Sequence, residues 1–277
     1  MSETDPLALP KLSLQSVPAS HGILWIRRGF ATFGRYPLGF AGLFSAMMLM
    51  WILVAVTPIL NMVGTLMLMP WFSLGFMVAA YRALRSEAPS VSAFFEPFRG
   101  SRDKLMGMLK LGALFAVVTL CLLALATLIN ADALAPHIQK MAEGKADIEA
   151  LAKAPEIHRH VLICMSLISL ASVVFWHTPG LVFWGQQPVL RAVVFSVLAI
   201  WRNKAAFMVY GVTWLALSST LSFVLPALME ATGTVSLMPL AILIGMTFLN
   251  SILYLSAFFS FTGSFIPADA APAPLRP

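Results

Sequence analysis

The chain has 277 residues, of which 59% are hydrophobic and 11% charged, with a formal net charge of +6 and a mean hydropathy of +0.85. Soluble domains carry roughly 45–50% apolar and about 25% charged residues, and soluble monomers rarely expose apolar patches as large as this composition would force. Lipid is therefore the expected solvent for most of the chain. The positive balance fits membrane topology rather than nucleic acid, for which no binding motif is present.

Residues 1–20 (MSETDPLALPKLSLQSVPAS) are polar and Pro-rich, with no apolar core ahead of a cleavage site. They read as a disordered tail and not as a cleavable signal. A first amphipathic stretch follows. Ile23, Ile26, Phe30 and Phe33 fall on one helical face, and His21, Arg28, Thr32 and Arg35 on the other. A spanning helix needs about 20 mainly apolar residues, at about 1.5 Å rise each across about 30 Å of hydrocarbon. Two such spans are expected over 38–60 and 62–81. A second flank holds Val91, Phe94, Phe95 and Phe98 at i, i+3, i+4, i+7 spacing. Spans three and four are expected over 105–129 and 161–184.

The loop 130–160 between those two spans mixes acidic and basic residues. Its Ile138, Met141, Ile148 and Leu151 are spaced for one apolar face, which would rest on the membrane surface or cap the bundle. A third flank, 188–204, carries a stripe of Leu190, Val194, Leu198 and Trp201, and its uncharged run between Arg191 and Arg202 is too short to span. Spans five and six are expected over 205–229 and 235–259, and residues 266–277 form a Pro/Ala-rich flexible tail. Cys121 and Cys164 lie inside spans, where they act as small apolar residues and not as a disulfide framework.

The expected fold is all-α: a polytopic membrane helical bundle of six transmembrane helices. It divides into three hairpins, 21–81, 90–184 and 188–265, each preceded by an amphipathic helix lying in the headgroup plane with its basic residues toward lipid phosphates. Arg27, Arg28, Arg35, Arg99, Arg102 and Arg202 are the surface-binding basic residues of these flanks. Lys and Arg, not net charge, set orientation. Twelve of them fall on the side of the termini and four, Lys140, Lys145, Lys153 and Arg159, on the other, so both termini are expected in the cytoplasm.

The first and last hairpins share a pattern. Thr65 and Leu68-Met69-Pro70 correspond to Thr234 and Leu237-Met238-Pro239, with Met77 opposite Met246 at the same offset. Upstream, Arg35 and Phe40 correspond to Arg202 and Phe207, and Pro58 and Pro226 are expected to close the preceding spans. The middle hairpin fits more loosely through Arg102 and Pro179-Gly180. All copies start on the same side, so the repeats are parallel in topology.

Several segments also resemble a known family: His21-Gly22, Trp25, Arg28-Gly29-Phe30 and Arg35-Tyr36-Pro37-Leu38; Pro70 with Leu74-Gly75-Phe76-Met77; Phe94 to Arg99; Phe195-Ser196 with Arg202-Asn203; and Phe207, Tyr210-Gly211. Over about residues 18–265 the chain is similar to an uncharacterised six-span inner-membrane protein family of beta- and gamma-proteobacteria, named only after a Burkholderia locus. The resemblance implies a bacterial inner membrane. The family has no established activity, so it implies no site residue.

Ionisable residues within spans are the first place to look for function. Lys110 lies near the start of span three, where its stem can snorkel to the interface, and Glu230 lies at the outer end of span five. His177 stands out within Trp176-His177-Thr178-Pro179-Gly180, beside a helix break whose freed carbonyls would suit a cation or substrate. A histidine bonded to a neighbouring helix is the plainer alternative. Asn250, in span six, completes a candidate intramembrane polar site, with interhelical bonding again the plainer role. Small-residue pairs Gly42/Ala46 and Ser218/Ser222 point to close helix packing. His158-x-His160 with Glu156 has too few ligands for a tight metal site, and no cofactor motif is present.

Three classes of function follow: a non-enzymatic bundle organising lipids or partner proteins, which fits best; a transporter or channel for a small or amphipathic solute; and, last, a membrane enzyme. The expected partners are membrane lipids, with other proteins or a second copy of the chain, and no nucleic acid.

Overall fold

The computed structural model describes residues 12–58, 61–144 and 147–266. They form helices and turns with no strand among them, and six helical segments are long and apolar enough to cross a membrane. The first two spans are α2 (Pro37–Ala55) and α3 (Asn61–Leu84), preceded by α1 (His21–Arg35). A 3-10 turn at Val91–Phe95 and one turn of α4 (Glu96–Arg99) lead to the third span, α5 (Arg102–Ile129). The loop between spans three and four folds as α6 (Ala131–Ala142) and α7 (Ile148–Lys153). The fourth span is split into α8 (Pro155–Val174) and α9 (Thr178–Phe183). Then come α10 (Val189–Arg202), the fifth span α11 (Lys204–Ala231), a 3-10 turn at Val235–Leu237 and the sixth span α12 (Met238–Phe265).

Prolines account for several boundaries. Pro37, Pro155 and Pro239 occupy the first turns of α2, α8 and α12, where a missing N–H loses no intrahelical bond. Pro239 thus opens span six and does not break it. Pro226, expected to close span five, lies inside α11, which continues to Ala231. Pro70 does sit within α3, and Pro179 follows the α8–α9 break.

The packed core lies toward the end that carries the termini. The second half of α12 from Ser251 is largely buried, as are α9 and the stretch Leu74 to Ala80 of α3. Toward the other end the helices show apolar side chains outward: Leu49 and Ile52 on α2, Phe223 and Leu228 on α11, Leu243 and Ile244 on α12. In a bilayer such exposure carries no hydrophobic penalty, because lipid tails are as apolar as leucine. Among the described residues a methyl added at Gly42 would meet nothing within 4 Å, and Ser218 and Ser222 lie away from any buried seam, so those small residues do not mark close packing there.

The flanks differ from three equivalent surface helices. α1 runs along α11 and α12 and buries Gly22, Trp25, Ile26, Gly29, Thr32 and Phe33, while Ile23, expected on the apolar face, is 47% exposed. Close backbone approach decides this: a Cβ at Gly22 would lie 2.7 Å from Tyr210 N, and one at Gly29 3.1 Å from Ile252 O. The segment 91–99 is not a continuous amphipathic helix. Phe94 drops into the notch at Gly75 and accepts a bond at its carbonyl from Trp71 Nε1 (2.6 Å), leaving Phe95 and Phe98 exposed. Arg82 pairs with Glu96 and donates to Ser92 Oγ, which ties the turn to α3. α10 has the expected form: Ala192, Ser196 and Ala199 face the protein, and Leu190, Val194, Leu198 and Trp201 face outward.

The N-terminal tail also differs over its described part. Residues 12–20 form an extended strap across the end of the bundle. Ser13 N donates to Phe265 O and Gln15 N to Ser264 O, both at 2.8 Å, while Leu12, Leu14 and Val17 pack on the core. Residues 1–11 and 267–277 lie outside the described residues. In the 130–160 region, Leu134 is buried, whereas Ile138 and Met141 are exposed, and the Ile148 side chain is outside what is described.

Candidate functional site

α8 ends at Val174, and the chain turns through Phe175, Trp176 and His177 before Pro179 starts α9. This turn drives His177 into the interior, where it is fully buried. Its backbone N–H, released from helical bonding, donates to Ser196 Oγ of α10 (3.1 Å). Its ring Nε2 lies 3.4 Å from Ser260 Oγ of α12. Ser260 has a single proton, directed to Ala257 O (2.8 Å), and it also accepts from Trp176 Nε1 (2.9 Å). Nε2 therefore carries the imidazole hydrogen and donates to Ser260, while Nδ1, the remaining acceptor, has no side-chain or backbone partner among the described residues. Phe207, Phe261 and Phe265 enclose the ring, with centroids 5.5, 6.2 and 5.4 Å away.

Ser260 belongs to a row. Ser256, Ser260 and Ser264 recur every four residues on one face of α12 and each meets a different element. The Ser256 hydroxyl donates to Leu253 O, so Tyr210 of α11 donates to Ser256 (2.7 Å). Ser264 accepts the strap at its carbonyl. The pattern is visible in the sequence as Ser-x3-Ser-x3-Ser, but the apolar residues between mask it. Asn250 is not part of this row. It is half-exposed and bonds Met246 O in its own helix (2.8 Å). Ten residues separate it from Ser260, about 15 Å along the axis, so the fold does not bring Asn250 and His177 together.

On the other side of the α8–α9 break lies a separate cavity of about 200 Å³. Pro70, Ser73, Ser172, Phe175, Pro179 and Tyr254 are among its lining residues; among the described residues no carboxylate, amine, guanidinium or imidazole lines it. Ser172 is satisfied within its helix through Ile168 O. Pro70 deprives the Leu66 carbonyl of its helical donor there.

Of the basic flank residues, Arg27, Arg35, Arg99, Arg102 and Arg202 are exposed and Arg28 is half-buried. Burial lowers the Arg28 guanidinium from its ordinary pKa; burial and then the nearby Arg28 charge lower the His21 imidazole. Outside the core, Glu156 reaches His137 (3.8 Å) and His160 reaches Cys164 (3.4 Å). Among the described residues no three His, Cys, Asp or Glu side chains gather as a metal site.

A protein of Burkholderia thailandensis named "Probable inner membrane protein" is 30% identical to this chain over 255 residues, covering 92% of this chain and 94% of that protein. The chain belongs to the family of that inner-membrane protein. No family model matches it, and no solved structure does. The likeness over nearly the whole length, with six apolar spans, makes this a multi-pass membrane protein of the inner-membrane type.

Proposed function

We propose that this family member is a non-enzymatic membrane bundle that organises lipids or partner proteins, with no cofactor and with its basic, terminal end in the cytoplasm. The observation that carries this is the state of His177: its backbone and ring are bonded to Ser196 and Ser260 and enclosed by three phenylalanines, the arrangement of a structural knot. The apolar outer halves of α11 and α12 offer lipid or a neighbour a broad surface. The threefold hairpin repeat is part of the same proposal, as a way of building one packed end from three similar units.

Extraction of the full chain from native membranes into lipid nanodiscs, followed by mass spectrometry of lipids and proteins, tests this. Enrichment of a defined lipid or protein set over bulk membrane is expected. A saturable solute flux in proteoliposomes, abolished by His177→Ala in a folded protein, would replace it with transport. The transport alternative draws on the cavity lined by Pro70 within α3 and by Pro179 beside the α8–α9 break. Reporter fusions at both termini test the orientation, and an exported reporter at either one contradicts it.

A further inference from the structure

At the basic end, a groove of about 610 Å³ opens between the first turns of α5 and the segment joining α9 to α10. Lys104 and Lys110 reach it from α5, and Gln186 and Gln187 from the connecting segment. Leu190 and Val182 add apolar surface, and Leu190 is 71% exposed toward the outside of the bundle. We propose that this groove is a headgroup site for an anionic glycerophospholipid, with its phosphate diester between Lys104 and Lys110 and its acyl chains leaving past Leu190.

Four observations converge on this ligand. Lys110 lies in an apolar span, about 12 Å along the axis from Arg102, and makes no ion pair among the described residues. A lysine at that depth is stabilised by snorkelling to an anionic partner at the interface. Lys104 Nζ is held 4.8 Å over the Phe183 ring, which fixes a second ammonium at the groove. Gln186 has φ of 48°, a conformation uncommon for a residue with a Cβ. The Gln187 N–H donates to Leu181 O (3.1 Å) and its Nε2 to Gly185 O (3.0 Å), which fixes this segment at the opening. The first turn of α10, with Pro188 as its cap and no acidic residue, has backbone N–H groups that no side chain among the described residues caps, and turns a positive dipole end to the same space.

Asp103 also lines the groove. Two lysines and one carboxylate leave a net single positive charge, which matches one phosphate diester and disfavours a doubly charged phosphomonoester. The exposed Met106 and Leu190 flank the groove and place it beside lipid, which favours a lipid headgroup over a soluble anion.

The inference deepens the lipid-organising reading and rests on it for the kind of ligand. The test uses the full chain in detergent, with native mass spectrometry of retained lipid. Dioleoyl phosphatidylglycerol, dioleoyl phosphatidylcholine and inorganic phosphate are the probes. Wild type is expected to retain one phosphatidylglycerol in preference to phosphatidylcholine, and K104Q/K110Q to lose that preference by about tenfold. Lys110→Arg should keep most of it, and Lys140→Gln, on exposed α6, all of it. If the double variant does not fold, Lys110→Gln alone is compared with Lys110→Arg. Equal retention of the two lipids by wild type, or an unchanged preference in folded K104Q/K110Q, overturns the site. Displacement of phosphatidylglycerol by millimolar inorganic phosphate overturns the lipid assignment. If headgroup preference fails while nanodisc extraction still enriches a lipid or protein set, the groove falls and the bundle reading stands. If preference holds while His177-dependent flux is found, the reverse is true.

Discussion

The side chain of Asn203 grips the backbone of the strap at two points: its Oδ1 accepts from Val17 N (2.9 Å) across 186 positions of chain, and its Nδ2 donates to Gln15 O (3.0 Å). Asn203 is buried between α10 and α11, so this amide has little access to water as an alternative partner. With the bonds from Ser13 and Gln15 to the end of α12, four hydrogen bonds hold the strap across the terminal end.

Asn203→Ala removes both side-chain bonds and leaves the Val17 N–H and the Gln15 carbonyl without partners. The expected loss is about 1–3 kcal/mol of strap stability, read as faster amide exchange at residues 13–17 with the spans unchanged. Asn203→Asp keeps the acceptor for Val17 and turns the donor into a repelling oxygen, so exchange should rise more at Gln15 than at Val17. Equal exchange in wild type and Asn203→Ala would show that the strap is held by its other contacts alone.

Ser260→Ala leaves Trp176 Nε1 and His177 Nε2 without their acceptor. Single interhelical bonds in membranes contribute about 0.6 kcal/mol on average. Two buried N–H groups sharing one oxygen raise the expected cost to about 1–3 kcal/mol. A lowered thermal midpoint in detergent is the readout. Ser256→Ala frees only Tyr210, whose hydroxyl then lacks one partner, and should lower the midpoint by less. His177→Ala should lower it too, by opening a cavity among the phenylalanines, yet insertion and six-span topology should persist. A Ser260→Ala midpoint equal to wild type would mean the knot is not structural.

The six spans were legible because oil and water divide a sequence sharply: residues 38–60 and 105–129 are apolar whatever they pack against. What composition does not separate is lipid from protein as a neighbour. Ile23 and Ile26 read alike, yet Ile26 is buried and Ile23 faces out, because Gly22 and Gly29, not the apolar residues, decide which face of α1 approaches α11 and α12. The strap was illegible for another reason. Residues 12–20 continue the polar, Pro-rich stretch 1–20 that reads as a tail, and their order comes from partners more than a hundred positions away. At the candidate site, the Trp-His-Thr-Pro-Gly motif marked the helix break, whereas Ser196 and Ser260 are ordinary serines until the fold places them at His177.

The depressed pKa of His21 gives a pH dependence with a definite sign. Burial and Arg28 both disfavour the protonated ring in the folded state, so the unfolded chain binds that proton more readily. Above the ordinary histidine pKa of about 6.5, both states are neutral and the contribution to stability is complete. Below it, stability is lost progressively until the folded-state pKa is passed. His21→Gln should therefore show a smaller drop in thermal midpoint between pH 7.5 and 5.5 than wild type does. A steeper drop in the variant would reverse the sign and contradict the burial of the ring.

Two glycine substitutions distinguish close packing from mere smallness. At Gly22 the added methyl meets main-chain atoms of α11, Ala206 O and Tyr210 N, which cannot rotate away as a side chain would. Gly22→Ala is therefore expected to push α1 off α11, disturb the Trp25 contacts with Phe207 and Tyr210, and cost about 1–3 kcal/mol. Gly42 lies in α2 with open space where its methyl would stand. Gly42→Ala should be neutral or stabilising by up to about 1 kcal/mol, because alanine loses less backbone entropy in a helix. Thermal midpoints of the two variants in the same detergent should fall on opposite sides of, or in clear order about, the wild-type value. If Gly22→Ala matches wild type, α1 is not seated on α11 by backbone contact. If Gly42→Ala is the damaging one, that face of α2 meets a partner that the single chain does not contain.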